Sequence, residues 1–277
     1  MPSRPSAWLC VRESLHDFHL YEWAPLAWIL ALQLLFLAVT LNLGTAWGMA
    51  VAGGVLRLLG RSEAVIHYPT VFVLLPSLAT VVEWSLYTVA GSVLVPAMLI
   101  RIEGFVEGGS TPDAGRRIRR AILPTLVAGA LSVALLGVWD WALTQAVAPS
   151  LQSRFPGAQG LLGSWAVGVA VSIVVTAAFV YVPIRAIRPN EPLGAALLGG
   201  IRDGLRLLWP TFGIILVCSL PALLVAAGAQ VNPSVIVRKM RPELVAYLLM
   251  AYACLTSIAT YLIYAAASRL HWAPRRA

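Results

Sequence analysis

The residue with the most chemistry to offer in this sequence is Glu83, which follows Val81-Val82 and precedes Trp84 inside a long apolar stretch. An ionised carboxylate in hydrocarbon is costly, so an acid there is either held neutral by hydrogen bonds that fix helix packing or serves a proton or solute path. Thr80, Glu83, Tyr87 and Gly91 follow one another by steps of three or four residues, which puts them on one face of a helix. That face is expected to look inward. Ser132, Ser172, Thr176, Ser219, Thr256 and Ser257 fall at similar depth in other apolar stretches. Together these residues form the candidate intramembrane polar site, with Glu83, Thr80 and Tyr87 at its centre.

Other chemistry-bearing residues read more plainly. Asp140 lies between Trp139 and Trp141, a pattern that suits an interfacial aromatic belt with an acid reaching water. Glu13, His16, His19 and Glu22 recur every third residue, but on a helix each such step drifts by about 60°, so the four cannot converge on one ion. A solvated helix face is expected there, and neither a metal nor a cofactor. Ser164, Gly168, Ser172 and Thr176 stand four apart and are expected to form a close-packing seam. No phosphate-cradling loop, dinucleotide fingerprint, zinc-protease motif or nucleophile elbow is present, so no catalytic residue is nominated and a non-enzymatic protein is expected.

The elements that must position these residues follow from composition. Of 277 residues, 59% are hydrophobic and 12% charged, against about a quarter charged in soluble chains. A water-soluble surface cannot be covered with so few charges, and a bilayer is the solvent that suits the chain. The expected fold is all-α, a polytopic membrane bundle of about six transmembrane helices: 25–49, 69–100, 121–146, 161–184, 209–230 and 243–268. Pro76 is expected to kink the second, and Gly44 with Gly48 to mark close packing in the first. Three cysteines, Cys10, Cys218 and Cys254, imply no disulfide framework.

An internal repeat organises the bundle. Val95-Pro96 and Arg101, then Pro124-Thr125, are echoed by Val182-Pro183 and Arg188, then Pro210-Thr211; Pro96 and Pro183 are 87 residues apart. In each copy an amphipathic elbow helix is expected before a span that opens at the Pro-Thr step. The first elbow is 110–123, with Thr111, Pro112 and Asp113 suited to its start. The second is 191–208, with Leu197, Ile201, Leu205 and Leu208 as its apolar stripe. A surface helix over 6–22, with Trp8, Val11, Leu15 and Phe18 apolar, precedes the first span as a more diverged copy. The domain organisation is one membrane unit, 1–277: surface helix, first span and interfacial segment (1–68), first repeat copy (69–148), second copy (161–230), last span and basic tail (231–277).

Charge orients the bundle. The balance is +8, and most arginines gather on segments that share one side when both termini are cytoplasmic, as expected for a multi-pass protein of a bacterial inner membrane. The cluster Arg238, Lys239 and Arg241 runs against this rule. Arg116, Arg117, Arg119 and Arg120, with Arg202 and Arg206, could clamp anionic lipid headgroups or dock a protein partner; nucleic acid is not expected, because no aromatic-basic module is visible.

The motifs Leu205-Arg206-Leu207-Leu208-Trp209-Pro210 and Arg119-Arg120-Ala121-Ile122-Leu123-Pro124 resemble those of bacterial polytopic membrane proteins with repeated elbow-and-span units, such as the membrane domain attached to some glycerophosphodiester phosphodiesterases. No soluble catalytic domain accompanies them here, so the resemblance implies no phosphodiesterase activity. The elbow before the first span also looks like that of exporter permeases of the ABC-2 type. Two functions are therefore expected from different classes. One is a membrane-embedded subunit or scaffold that docks a partner through its basic elbows; the other is a transporter for a small solute or lipid that uses Glu83.

Overall fold

In hydrocarbon every backbone N–H and C=O must be satisfied within the chain, and a helix does this segment by segment. The described residues are helical almost throughout, with no strand among them. The structure, a computed structural model, describes residues 5–20, 23–41, 80, 83–107, 113–155, 157–188, 191–230 and 244–272. Gly44, Gly48, segment 50–68, Pro76, Thr111, Pro112, Glu22 and the cluster 238–241 lie outside the described residues.

In chain order the helices are α1 (Ala7–Asp17), α2 (Ala24–Leu41), α3 (Glu83–Val89), α4 (Gly91–Glu107), α5 (Ala114–Ala142), α6 (Ala148–Arg154), α7 (Ala158–Phe179), α8 (Tyr181–Ala186), α9 (Leu193–Arg206), α10 (Leu208–Gln230) and α11 (Leu244–Trp272). Four stretches are long and apolar enough to cross a membrane: Ala114–Arg154, Gln159–Ala186, Leu208–Ala227 and Tyr247–Trp272. A fifth is added if α3 and α4, bent by 61° at Ala90, count as one broken span. The described apolar part of α2 is shorter than a full span. No more than 39% of any of the four apolar windows is buried inside the protein. Their outer faces are therefore apolar and available to lipid, which is how a membrane bundle differs from a soluble one.

The elbows depart from expectation in an instructive way. The first is not a separate helix: the arginine segment and the span are one continuous α5, with Pro124 inside it. Asp113 occupies the N-cap in a left-handed conformation (φ 56°) and makes no side-chain cap bond. In the second copy the chain does turn, at Leu207, between α9 and α10. The reason lies in side-chain size. The buried face of α9 is Ala196, Gly200 and Gly204, not the expected leucine stripe; Leu198 and Leu205 point outward. A Cβ on Gly200 would sit 2.6 Å from the Val182 Cα, and one on Gly204 would run into the Ala178 carbonyl. So α9 lies backbone to backbone on α7 and α8, and the chain must turn to start α10. The first copy has no such glycine face: Gly115 is exposed, the buried Ala121 follows four arginines, and the chain continues straight.

The surface helix keeps half of its expected apolar face inward, Val11 and Phe18, the latter against Tyr261. Ser6 caps α1 by accepting from the Leu9 N–H at 3.2 Å. Cys10, Val11 and Ser14 are buried against α11, whereas Trp8 and Leu15 are exposed, 65% and 51%. Small side chains allow the close approach to α11, and Trp8 and Leu15 are left for the membrane surface.

The core sits at one end of the bundle. Met98, Leu99, Ile100 and Ile102 of α4, Tyr181, Val182 and Ile184 of α8, and Ala265, Ala266 and Ala267 of α11 are almost wholly buried. Both Val-Pro segments therefore fall in the densest region. There the Thr211 hydroxyl of the second Pro-Thr step meets the Tyr181 hydroxyl at 2.7 Å. The first copy carries Leu94 where the second has Tyr181, and the buried Thr125 hydroxyl has no protein partner.

Three inward arginines tie the same end together. Arg117 bonds to Glu103 and donates to the Ile187 carbonyl at 2.7 Å. Arg185 bridges Glu191 at 2.8 Å and Asp203 at 3.2 Å. Arg269 holds Glu13 at 3.0 Å and also bonds Asp17, fastening α1 to α11. Glu13 and Asp17 are thus ion-paired rather than simply solvated.

Candidate functional site

Helices that run antiparallel leave the other half of the bundle less filled, and there a cavity of about 420 Å³ opens between five of them. Thr80, Glu83 and Trp84 come from the α3 side, Trp139 and Asp140 from the end of α5, Trp165, Gly168, Ser172 and Thr176 from α7, Ser219 from α10, and Tyr252, Thr256 and Thr260 from α11. This volume lies within the range of small-molecule sites, roughly 300–1,000 Å³.

Glu83 is half-buried on the wall, and the Tyr252 hydroxyl donates to its carboxylate. Thr80 and Glu83 share the cavity as their spacing predicts. Tyr87, placed with them by periodicity, is directed elsewhere. Its hydroxyl accepts from Gln33 Nε2 at 3.2 Å and meets Thr260 Oγ1 at 3.2 Å. The Ser257 hydroxyl donates to Gln33 Oε1 at 2.9 Å. Gln33, Tyr87, Thr260 and Ser257 thus form a polar tie between α2, α3 and α11 that backs the cavity wall through Thr260. Gln33 is a lone amide in the apolar run of α2, and that isolation was the signal available for finding it.

One expectation is corrected here. Gly168, Ser172 and Thr176, expected to form a seam, line the cavity, although Gly168 also faces Leu143 closely, a Cβ there standing 3.3 Å from Leu143 Cδ2. The π-helical turn Leu143–Val147 follows directly on the part of α5 that lines the cavity. Asp140, expected in an interfacial belt with its acid reaching water, is exposed as expected and also borders the cavity with Trp139, while Trp141 points out at 67% exposure. Of the hydroxyls expected near Glu83, Ser172, Thr176, Ser219 and Thr256 reach the cavity; Ser132 bonds back to the Ala128 carbonyl at 2.8 Å.

The arginines expected to bind lipid or a partner divide by orientation. Arg116, Arg119 and Arg120 on α5 and Arg202 and Arg206 on α9 are exposed. Arg117 is turned inward to Glu103 and Ile187 and is taken out of that group. Among the described residues no group of three or more His, Cys, Asp or Glu is placed to hold a metal ion.

The fold and site together define a helical, membrane-type protein with a polar cavity between its apolar helices. Comparison with protein-family models, curated proteins and solved structures returns no match to this chain.

Proposed function

We propose that this is a multi-pass membrane protein that binds a small solute in the cavity beside Glu83 and moves it across the membrane. The observation that carries the reading is the cavity itself: an acid, several hydroxyls and four aromatic side chains face a common space of about 420 Å³ between apolar helices. Intramembrane acids that face such a space are the usual markers of ion and solute paths. A purely structural glutamate would be expected to have its carboxylate enclosed by helix contacts. The same reading keeps six spans, the internal repeat and both termini on the cytoplasmic side of a bacterial inner membrane, supported by the arginines that gather at the densely packed end.

The test is flux in proteoliposomes. Glu83→Gln is expected to lower solute flux by about tenfold or more, since the amide cannot carry the charge. Wild-type flux retained by a folded Glu83→Gln protein would end the proposal.

A second reading, a membrane subunit that docks a partner, is favoured by the exposed Arg116, Arg119, Arg120, Arg202 and Arg206. A stoichiometric protein partner in native mass spectrometry of gently extracted protein would support it.

A further inference from the structure

Accepting that the cavity is a solute site, its chemistry narrows the solute. Among the described residues that line it, the only ionisable groups other than Tyr252 are Glu83 and Asp140, both acids, with no Lys, Arg or His beside them. An anion would meet two carboxylates and no counter-charge. The hydroxyls add to this bias. Ser172 donates its proton to the Gly168 carbonyl at 3.0 Å, and Thr176 donates to the Ser172 carbonyl at 2.8 Å. What they turn toward the cavity is therefore oxygen lone pairs, which accept. Trp84, Trp139, Trp165 and Tyr252 supply aromatic surface, whose faces attract cations and whose area suits flat apolar groups. A cavity of about 420 Å³ is also far larger than a bare ion needs.

We infer that the cavity takes organic cations with an apolar body, the class of lipophilic amines and quaternary ammonium or phosphonium ions, with the positive centre at Glu83 and the body against the tryptophans. The anionic wall excludes carboxylates and phosphates. Asp140 is a second anionic anchor toward the end of α5.

The experiment uses two probes of nearly the same shape and opposite charge, tetraphenylphosphonium and tetraphenylborate, in equilibrium binding to the full chain in nanodiscs. Saturable phosphonium binding is expected, with a preference over the borate of about tenfold or more, as charge selection in a partly desolvated aromatic site requires. Glu83→Gln and Trp165→Leu should each weaken phosphonium binding by about tenfold. Trp141→Leu, on the outer surface, should leave it unchanged, and Asp140→Asn offers a second charge variant if Glu83→Gln does not fold. Equal or stronger borate binding would overturn the inference, as would phosphonium affinity that is indifferent to Glu83, Asp140 and Trp165. Saturable phosphonium binding without its flux would sink transport and leave the ligand class standing. Glu83-dependent flux of another solute with no phosphonium binding would do the reverse.

Discussion

Arg269 carries more of the architecture than any other single charge at the packed end. It reaches from the last helix to Glu13 and Asp17 of the first, and Cys10 is buried beneath that contact. Burial pushes the Cys10 thiol up to about 11, with Glu13 adding to the effect, so at neutral pH the thiol is protonated and shielded. Partial burial works against charge on Asp17, yet the bonds from His16 and Arg269 outweigh it and hold its carboxyl below the usual carboxylate range. A carboxyl depressed in the folded state stabilises it above the unfolded pKa, about 4, and that contribution is lost as pH falls through the folded value. Two outcomes are expected in labelling of Cys10 by a dithiodipyridine, which reacts with accessible thiols in acid as well as at neutral pH. Labelling should rise for samples held below about pH 4, and Arg269→Gln should raise it already at neutral pH. Unchanged labelling in Arg269→Gln would show that apolar contacts alone hold α1. Residues of this kind were only partly legible in the sequence. Glu83 announces itself, because an acid amid valines and tryptophan has few bland explanations. Asp140 does not, because an exposed acid between two tryptophans at a span end reads as interfacial, and only the placement of α7 shows that it also borders the cavity. Glu13 and Asp17 looked solvated because their partner is some 250 residues away in the chain.

Helix contacts here are decided by the smallest side chains, and periodicity alone misjudges them. On α9 the large apolar residues recur at helical spacing, yet Ala196 with Gly200 and Gly204 make the contact, and on α1 Cys10 and Ser14 join Val11 in it. A soluble helix hides its leucines; a helix at a membrane surface can give them to lipid and spend its small face on a neighbour. The consequence is measurable. Gly204→Ala should lower the melting temperature in detergent by several degrees, in keeping with the roughly 1–3 kcal/mol that overpacking costs. Gly194→Ala, which meets nothing within 4 Å, should not lower it. Equal effects at the two positions would mean that α9 does not rest on α7 through this face. Element existence was well signalled by apolar runs, whereas the joints were not. The break at Ala90 has no proline to mark it, and the fusion of the first elbow into α5 ignores one at Pro124.

At the scale of the whole molecule the bundle is two unlike halves. One is packed to near-complete burial around the Val-Pro segments and stitched by Arg117, Arg185 and Arg269; the other opens around Glu83. Composition and the arginine pattern foretell a membrane bundle with a charged end, but not which half is hollow. Neither the π-helical turn at Leu143–Val147 nor the 61° bend beside α3, both next to the cavity, is marked in the sequence. This asymmetry has an electrical side. In the transport reading, a cavity joined to the outer solution would carry that solution's potential inward toward its floor, so most of the membrane voltage would fall across the packed half. Each elementary charge moved through the full potential is worth about 2.3 kcal/mol per 100 mV. A cation leaving Glu83 for the arginine end would cross nearly all of that drop in one short step, past Tyr181 and the alanines of α11, and the resting voltage of the membrane would become part of its driving force.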